Sequence, residues 1–114
     1  MKTFQNSCAQ GDVMIQRVAE LPKGLVENAS QEGGANLIVT HSETGHHHVM
    51  DRASVTMFDN PDNALEGFLQ VHRATQLSHL RPHDTHEAIG FDPGVYKIIR
   101  QREYTPEGFR RVAD

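Results

Sequence analysis

At 114 residues, 37% of them apolar, the chain has room for one hydrophobic core and a single β domain spanning 1–114, burying about two-thirds of the surface its unfolded form exposes. Eleven Lys and Arg against fifteen Asp and Glu give a net charge of −4, which argues against nucleic acid as a partner. No apolar run approaches the roughly 20 residues of a membrane-spanning helix, so a membrane partner is set aside as well.

The opening segment around Met1-Lys2-Thr3-Phe4 lacks the apolar middle section of a secretory signal. Cys8 is the single cysteine and permits no intrachain disulfide. Both features point to the cytoplasm, with Cys8 as a half-buried small apolar residue. Residues 12–19 alternate in part and read as a strand, ending at the turn signal Leu21-Pro22-Lys23-Gly24. Residues 27–35 read as an exposed loop. Leu37-Ile38-Val39-Thr40-His41 is the clearest strand, short and β-branched. Ser42-Glu43-Thr44-Gly45 then supplies turn chemistry, and residues 46–50 return as the second arm of a hairpin. Residues 53–58 form a further strand, closed by Asp59-Asn60-Pro61-Asp62-Asn63.

The stretch that follows supports two readings. One is a short helix near 62–70 with Asp62 or Asn63 as N-cap; the other is a strand from Phe68. Gly67 costs such a helix about 1 kcal/mol relative to Ala, which favours the strand. After the turn Asp92-Pro93-Gly94, residues 95–104 are the longest strand candidate. Its alternation places Val95, Lys97, Ile99, Gln101 and Glu103 on one face, and Tyr96, Ile98, Arg100, Arg102 and Tyr104 on the other. Neither face is cleanly apolar, so one end is expected to project past the core. Arg100, Arg102, Arg110 and Arg111, interleaved with Glu103, Glu107 and Asp114, read as a paired, solvated edge. Short strands separated by Gly, Pro, Asp and Asn turns predict an all-β fold: a small sandwich or barrel of jelly-roll or cupin type.

Eight histidines fall mainly in two stretches. His41, His46, His47 and His48 straddle the predicted hairpin turn, while His79, His83 and His86 sit in a second segment beside Asp84 and Glu87. In a strand, i and i+2 share a face, so His46 and His48 point one way and His47 the other. The i, i+3 spacing of His83 and His86 suits a turn. Imidazoles from two segments can complete a tetrahedral or octahedral site, so His41, His46, His48, His83 and His86 are the candidate ligands of a divalent metal, zinc or iron. His72 and His79 read as surface or packed residues. The cupin pattern fits only loosely. His46-His47-His48 supplies its His-x-His, but Asp51 is the nearest carboxylate, and Pro93-Gly94 runs into Val95-Tyr96-Lys97 with no histidine.

Taken together, Gln10-Gly11-Asp12-Val13, Thr44-Gly45-His46-x-His48, His83-Asp84-x-His86, Pro93-Gly94-x-Tyr96 and Gln101-Arg102-Glu103-Tyr104 resemble a family of small bacterial and phage-encoded proteins of unknown function. The resemblance implies that His46, His48, His83 and His86 belong to one site, and it brings a phage origin into view. Two functions follow from the residues. The first is a small metal-binding β domain, with Glu103 or Glu43 as candidate bases and Tyr104 as a donor; an open coordination position would make it a catalyst of small-molecule chemistry, a closed one a structural site. The second is a non-catalytic structural or interaction protein, a homo-oligomer or a capsid decoration or assembly protein. That alternative extends the expected location from the cytoplasm to the virion.

Overall fold

The computed structural model describes residues 2–40, 47–79 and 87–100 in full, and 102–105 and 108–111 as backbone. It is all β. In chain order the strands are β1 (Ser7–Gln10), β2 (Val13–Val18), β3 (Val26–Glu27), β4 (Asn36–Thr40), β5 (His48–Asp51), β6 (Val55–Asp59), β7 (Glu66–Val71), β8 (Thr75–His79), β9 (Ile89–Phe91), β10 (Gly94–Arg100), β11 (Arg102–Thr105) and β12 (Gly108–Arg111). A six-stranded sheet runs in the order β1-β2-β10-β7-β6-β3, and a four-stranded sheet in the order β4-β5-β8-β9. The ladders between named strands are antiparallel. The two sheets face one another as a sandwich across a shared core. β11 and β12 pair with each other as a separate two-stranded ladder.

The core follows from alternation. Val13 and Ile15 of β2, Val55 and Met57 of β6, Leu69 and Val71 of β7, and Tyr96 and Ile98 of β10 are buried from the six-stranded side. Leu37, Val39, Met50, Leu77, Ile89 and Phe91 meet them from the other sheet. Phe4, Phe91 and Tyr96 form an aromatic group, with Phe91 and Tyr96 edge-to-face at 4.8 Å between ring centres. Tyr96 keeps its polar end satisfied by donating its hydroxyl to the Asp92 carbonyl at 2.7 Å. Cys8 packs partly buried against this cluster, as its sequence context suggests.

Three expectations need correction. The short helix near 62–70 does not form. Asn60 and Asn63 accept hydrogen bonds from the amides two residues on, Asp62 and Leu65, at 2.9 and 3.0 Å, but the backbone closes only two successive turns, Asn63 and Glu66 donating to the Asn60 and Asn63 carbonyls at 3.1 Å, and Glu66 then enters the sheet. The strand then starts at Glu66, two residues before Phe68, because β6 and β10 pair with it on both sides. Next, the strand expected over 53–58 begins at Val55, after a single 3-10 turn at Arg52–Ser54. Finally, the 95–104 strand divides. Its pairing with the sheet ends at Arg100, whose amide donates to the Leu65 carbonyl at 2.7 Å, and residues 102–105 belong to the separate hairpin. Among the described residues, no helix is long and apolar enough to cross a membrane.

Candidate polar centre at one end of the sandwich

The four-stranded sheet brings the two histidine-bearing stretches together. His48 opens β5, His79 closes β8, and the ladder pairs them directly. Their rings stack at 4.2 Å between centres and 6° between planes. The chain therefore enters β5 at the end of the sheet where it leaves β8.

His48 is 4% exposed. As an i−2 neighbour of the core residue Met50 it points between the sheets, where Gln10 meets it from β1. The Gln10 amide nitrogen donates to the carbonyls of Leu77 and Glu87, at 3.1 and 3.0 Å. Carbonyls only accept, so these two bonds settle which end of the amide is nitrogen. The amide oxygen thus faces His48 Nδ1 at 2.7 Å, and Nδ1 must carry the proton. In the neutral ring the lone pair then resides on Nε2, and Asp12 Oδ1 lies 3.9 Å from that atom. Asp12 sits in the two-residue turn between β1 and β2, where Gly11 adopts φ +59°, and its side chain is about half exposed.

One ring nitrogen is thus held by an amide oxygen, which fixes the tautomer and the ring orientation, and the other lies on the side of Asp12. Two donors on a tetrahedral zinc ion stand about 3.4 Å apart, so His48 Nε2 and Asp12 Oδ1 would need to close by about half an ångström to share one. Among the described residues, no group of three or more His, Cys, Asp or Glu side chains is placed to hold a metal.

Thr40 completes this end. Simple alternation from the buried Leu37 would turn Thr40 outward with Ile38. Instead β4 carries a bulge: Ile38 pairs with Val49 but Thr40 with His48, leaving Val39 as the extra residue. The irregularity sets Thr40 opposite His48. Thr40 is 6% exposed, and its buried hydroxyl has no hydrogen-bond partner among the described residues.

Of the ligands expected from sequence, His48 lies in this centre. His41, His46, His83 and His86 fall outside the described residues, as does Glu43; the side chains of Glu103 and Tyr104 are likewise not described. His72 is exposed, its Nε2 2.8 Å from the Thr56 hydroxyl, in keeping with a surface role. His79 is packed, as expected, but against His48 itself. Gln10 and Asp12, whose motif stood out without a role, are the contributors that sequence reasoning missed. Burial pushes the Cys8 thiol up to about 11, against a smaller opposing pull from Lys2, which disfavours the thiolate at neutral pH.

Residues 9–101 match the family model described as a domain of unknown function (DUF8820). No curated protein and no solved structure matches the chain.

Proposed function

Since the chain belongs to the DUF8820 family of unknown function, whose match takes in Gln10, Asp12, Thr40, His48 and His79, we propose that it is a small metal-binding β domain built around His48. The observation that carries this reading is the Gln10–His48 hydrogen bond, which holds Nδ1 as donor and sets Nε2 on the side of Asp12, where it would serve as the ligating atom. The His48–His79 pairing supports a contribution from the second stretch. On this reading His41, His46, His83 and His86 supply the remaining ligands of a zinc or iron ion. Imidazole nitrogens suit both metals, and Asp12 as a carboxylate ligand tilts the choice toward iron.

The test is metal content of tag-free protein by elemental analysis, with His48→Ala and the double variant His46→Ala/His86→Ala alongside. Near-stoichiometric zinc or iron, lost in both variants, is the expected result. Metal-free protein with no thermal response to added Zn²⁺ or Fe²⁺ overturns the reading.

A second reading rests on the same hydrogen bonds taken structurally. Gln10 ties β1 of one sheet to β5, β8 and residue 87 beyond the other, so the centre acts as a polar clamp in a non-catalytic interaction protein. That protein would be a homo-oligomer or part of a capsid. It predicts that His48→Ala lowers stability in metal-free protein and that solution mass exceeds the monomer.

A further inference from the structure

We infer that β1 is the surface through which two copies of this chain join, each β1 adding to the other as an antiparallel edge strand across a two-fold axis, so that two six-stranded sheets run on as one. The inference rests on the interaction-protein reading, to which it gives a partner and an interface, and it involves no metal.

The two sheets of the sandwich end in β1, β3, β4 and β9, and all but β1 carry a guard against edge-to-edge pairing. β3 is two residues long and holds the exposed Glu27. β4 is kinked by its bulge, and Arg100 donates to its Val39 carbonyl. β9 is covered by the N-terminal segment, where the Lys2 carbonyl accepts from the Gly90 amide at 2.7 Å and the Lys2 amide donates to the Ala88 carbonyl at 3.0 Å. β1, with the sequence Ser7-Cys8-Ala9-Gln10, holds no charge, no proline and no bulge.

Its free side can be read from the ladder. The Asn6 carbonyl accepts from the Arg17 amide at 2.7 Å, and antiparallel pairs alternate between hydrogen-bonded and non-hydrogen-bonded. Cys8 and Gln10 therefore turn their backbone groups toward β2, while Ser7 and Ala9 turn theirs outward. Ser7 and Ala9 are exposed, and among the described residues these outward groups have no hydrogen-bond partner.

The edge also fits itself. Side chains directly opposite one another share a sheet face. Cys8, opposite the buried Ile15, faces inward, whereas Ser7 and Ala9 face out. A two-fold axis at Cys8 keeps both faces in register and sets Ser7 of each copy against Ala9 of the other. Those are the residues with outward backbone groups, and each such pair exchanges both of its N–H···O bonds. No like charges meet across the seam, and Met14, 45% exposed beside Ala9, flanks it with apolar surface. An interface this short falls below the area of a permanent dimer, so the assembly is a reversible one.

The experiment is sedimentation equilibrium of full-length, tag-free protein in EDTA over a wide concentration range. Wild type should pass from monomer to dimer mass as concentration rises. Ser7→Lys/Ala9→Lys places like charges opposite each other in this register and should weaken the dimer about tenfold. Ser7→Lys/Ala9→Glu places opposite charges there and should recover affinity to within about threefold of wild type. Ala9→Pro removes an N–H that points away from β2, so it should lose the dimer and keep the wild-type circular dichroism; the two charge variants, at exposed side chains, decide the matter if it does not fold. In hydrogen exchange, the Ser7 and Ala9 amides should gain protection with concentration, while that of Cys8, already directed at β2, should not. A dimer indifferent to Ser7→Lys/Ala9→Lys, or no tighter in Ser7→Lys/Ala9→Glu than in that variant, overturns the inference and leaves the interaction-protein reading with a different interface. Protein that stays monomeric at every concentration overturns the inference and the homo-oligomer with it, and leaves the metal reading standing.

Discussion

Arg100, the last residue of β10, reaches across to the opposite sheet and donates through Nη2 to the Val39 carbonyl of β4 at 3.1 Å. Its other terminal nitrogen approaches the Ala64 carbonyl at 3.4 Å. The side chain lies over Gly67, where a Cβ would stand 3.2 Å from both terminal nitrogens, so the absence of a side chain at 67 makes room for it. Burial lowers the pKa of this guanidinium below the usual arginine value, and Asp59 opposes the shift; it stays charged at neutral pH.

Arg100→Met should therefore destabilise the fold by about 1–3 kcal/mol, the range for losing hydrogen bonds from a charged donor. Urea unfolding reads this as a lower midpoint at unchanged slope. Arg100→Lys keeps the charge but not the planar fork, and should fall between the two.

Gln10→Leu is expected to be more damaging. It removes three hydrogen bonds at once and leaves the Leu77 and Glu87 carbonyls and His48 Nδ1 without this partner. A loss of about 3 kcal/mol or more is expected for a buried network broken at its centre. Thermal unfolding of metal-free protein measures it. A loss under about 1 kcal/mol would show that the amide is not the clamp described.

Alkaline pH should destabilise the protein through Cys8 and Tyr96. Both are acids whose folded pKa is raised by burial, Cys8 from 9.0 to about 11. Such groups favour the folded state fully below the unfolded pKa, and that contribution is lost as pH rises through the folded one. Stability should thus fall between about pH 9 and 11. Thiol labelling at pH 8 should be slow in native protein and fast in urea. Rapid native labelling would contradict the raised pKa of this partly buried thiol.

Arg52 organises residues 30–36. Its guanidinium donates to the carbonyls of Gly34, Ser30, Glu32 and Asn36, giving an exposed loop four anchors from one side chain. Arg52→Ala should speed hydrogen exchange across 30–36 while leaving β10 protected. Proteolysis at Glu32 should rise with it. Global stability should change by only about 1 kcal/mol, because the bonds face solvent.

What the sequence made legible were the elements whose signal is local. The β-branched run at 37–40 predicts β4 directly, and the alternation from Val95 predicts β10 as a strand, although neither of its faces reads as apolar throughout. β1 and β8, with the polar sequences Ser-Cys-Ala-Gln and Thr-Gln-Leu-Ser-His, carry no such signal; they are strands because neighbours far along the chain pair with them. The centre divides in the same way. His48 is visible through the His-x-His spacing, whereas Gln10 finds its partners 38, 67 and 77 residues away. No window of sequence contains that relationship. Thr40 was hidden for a different reason, since a bulge breaks the period-two rule by which a side chain's facing is read.

Those long separations also govern when the centre can exist. Gln10, His48 and the carbonyls of Leu77 and Glu87 belong to both sheets, and no hairpin in the fold contains more than two of the four. Loop closure over such distances comes at the slow end of folding. The polar centre around His48 is consequently expected to close late in folding, and its hydrogen bonds report on a finished molecule. A nascent chain still on the ribosome, or one cleaved between β5 and β8, would keep most of its hairpins and have no centre at all.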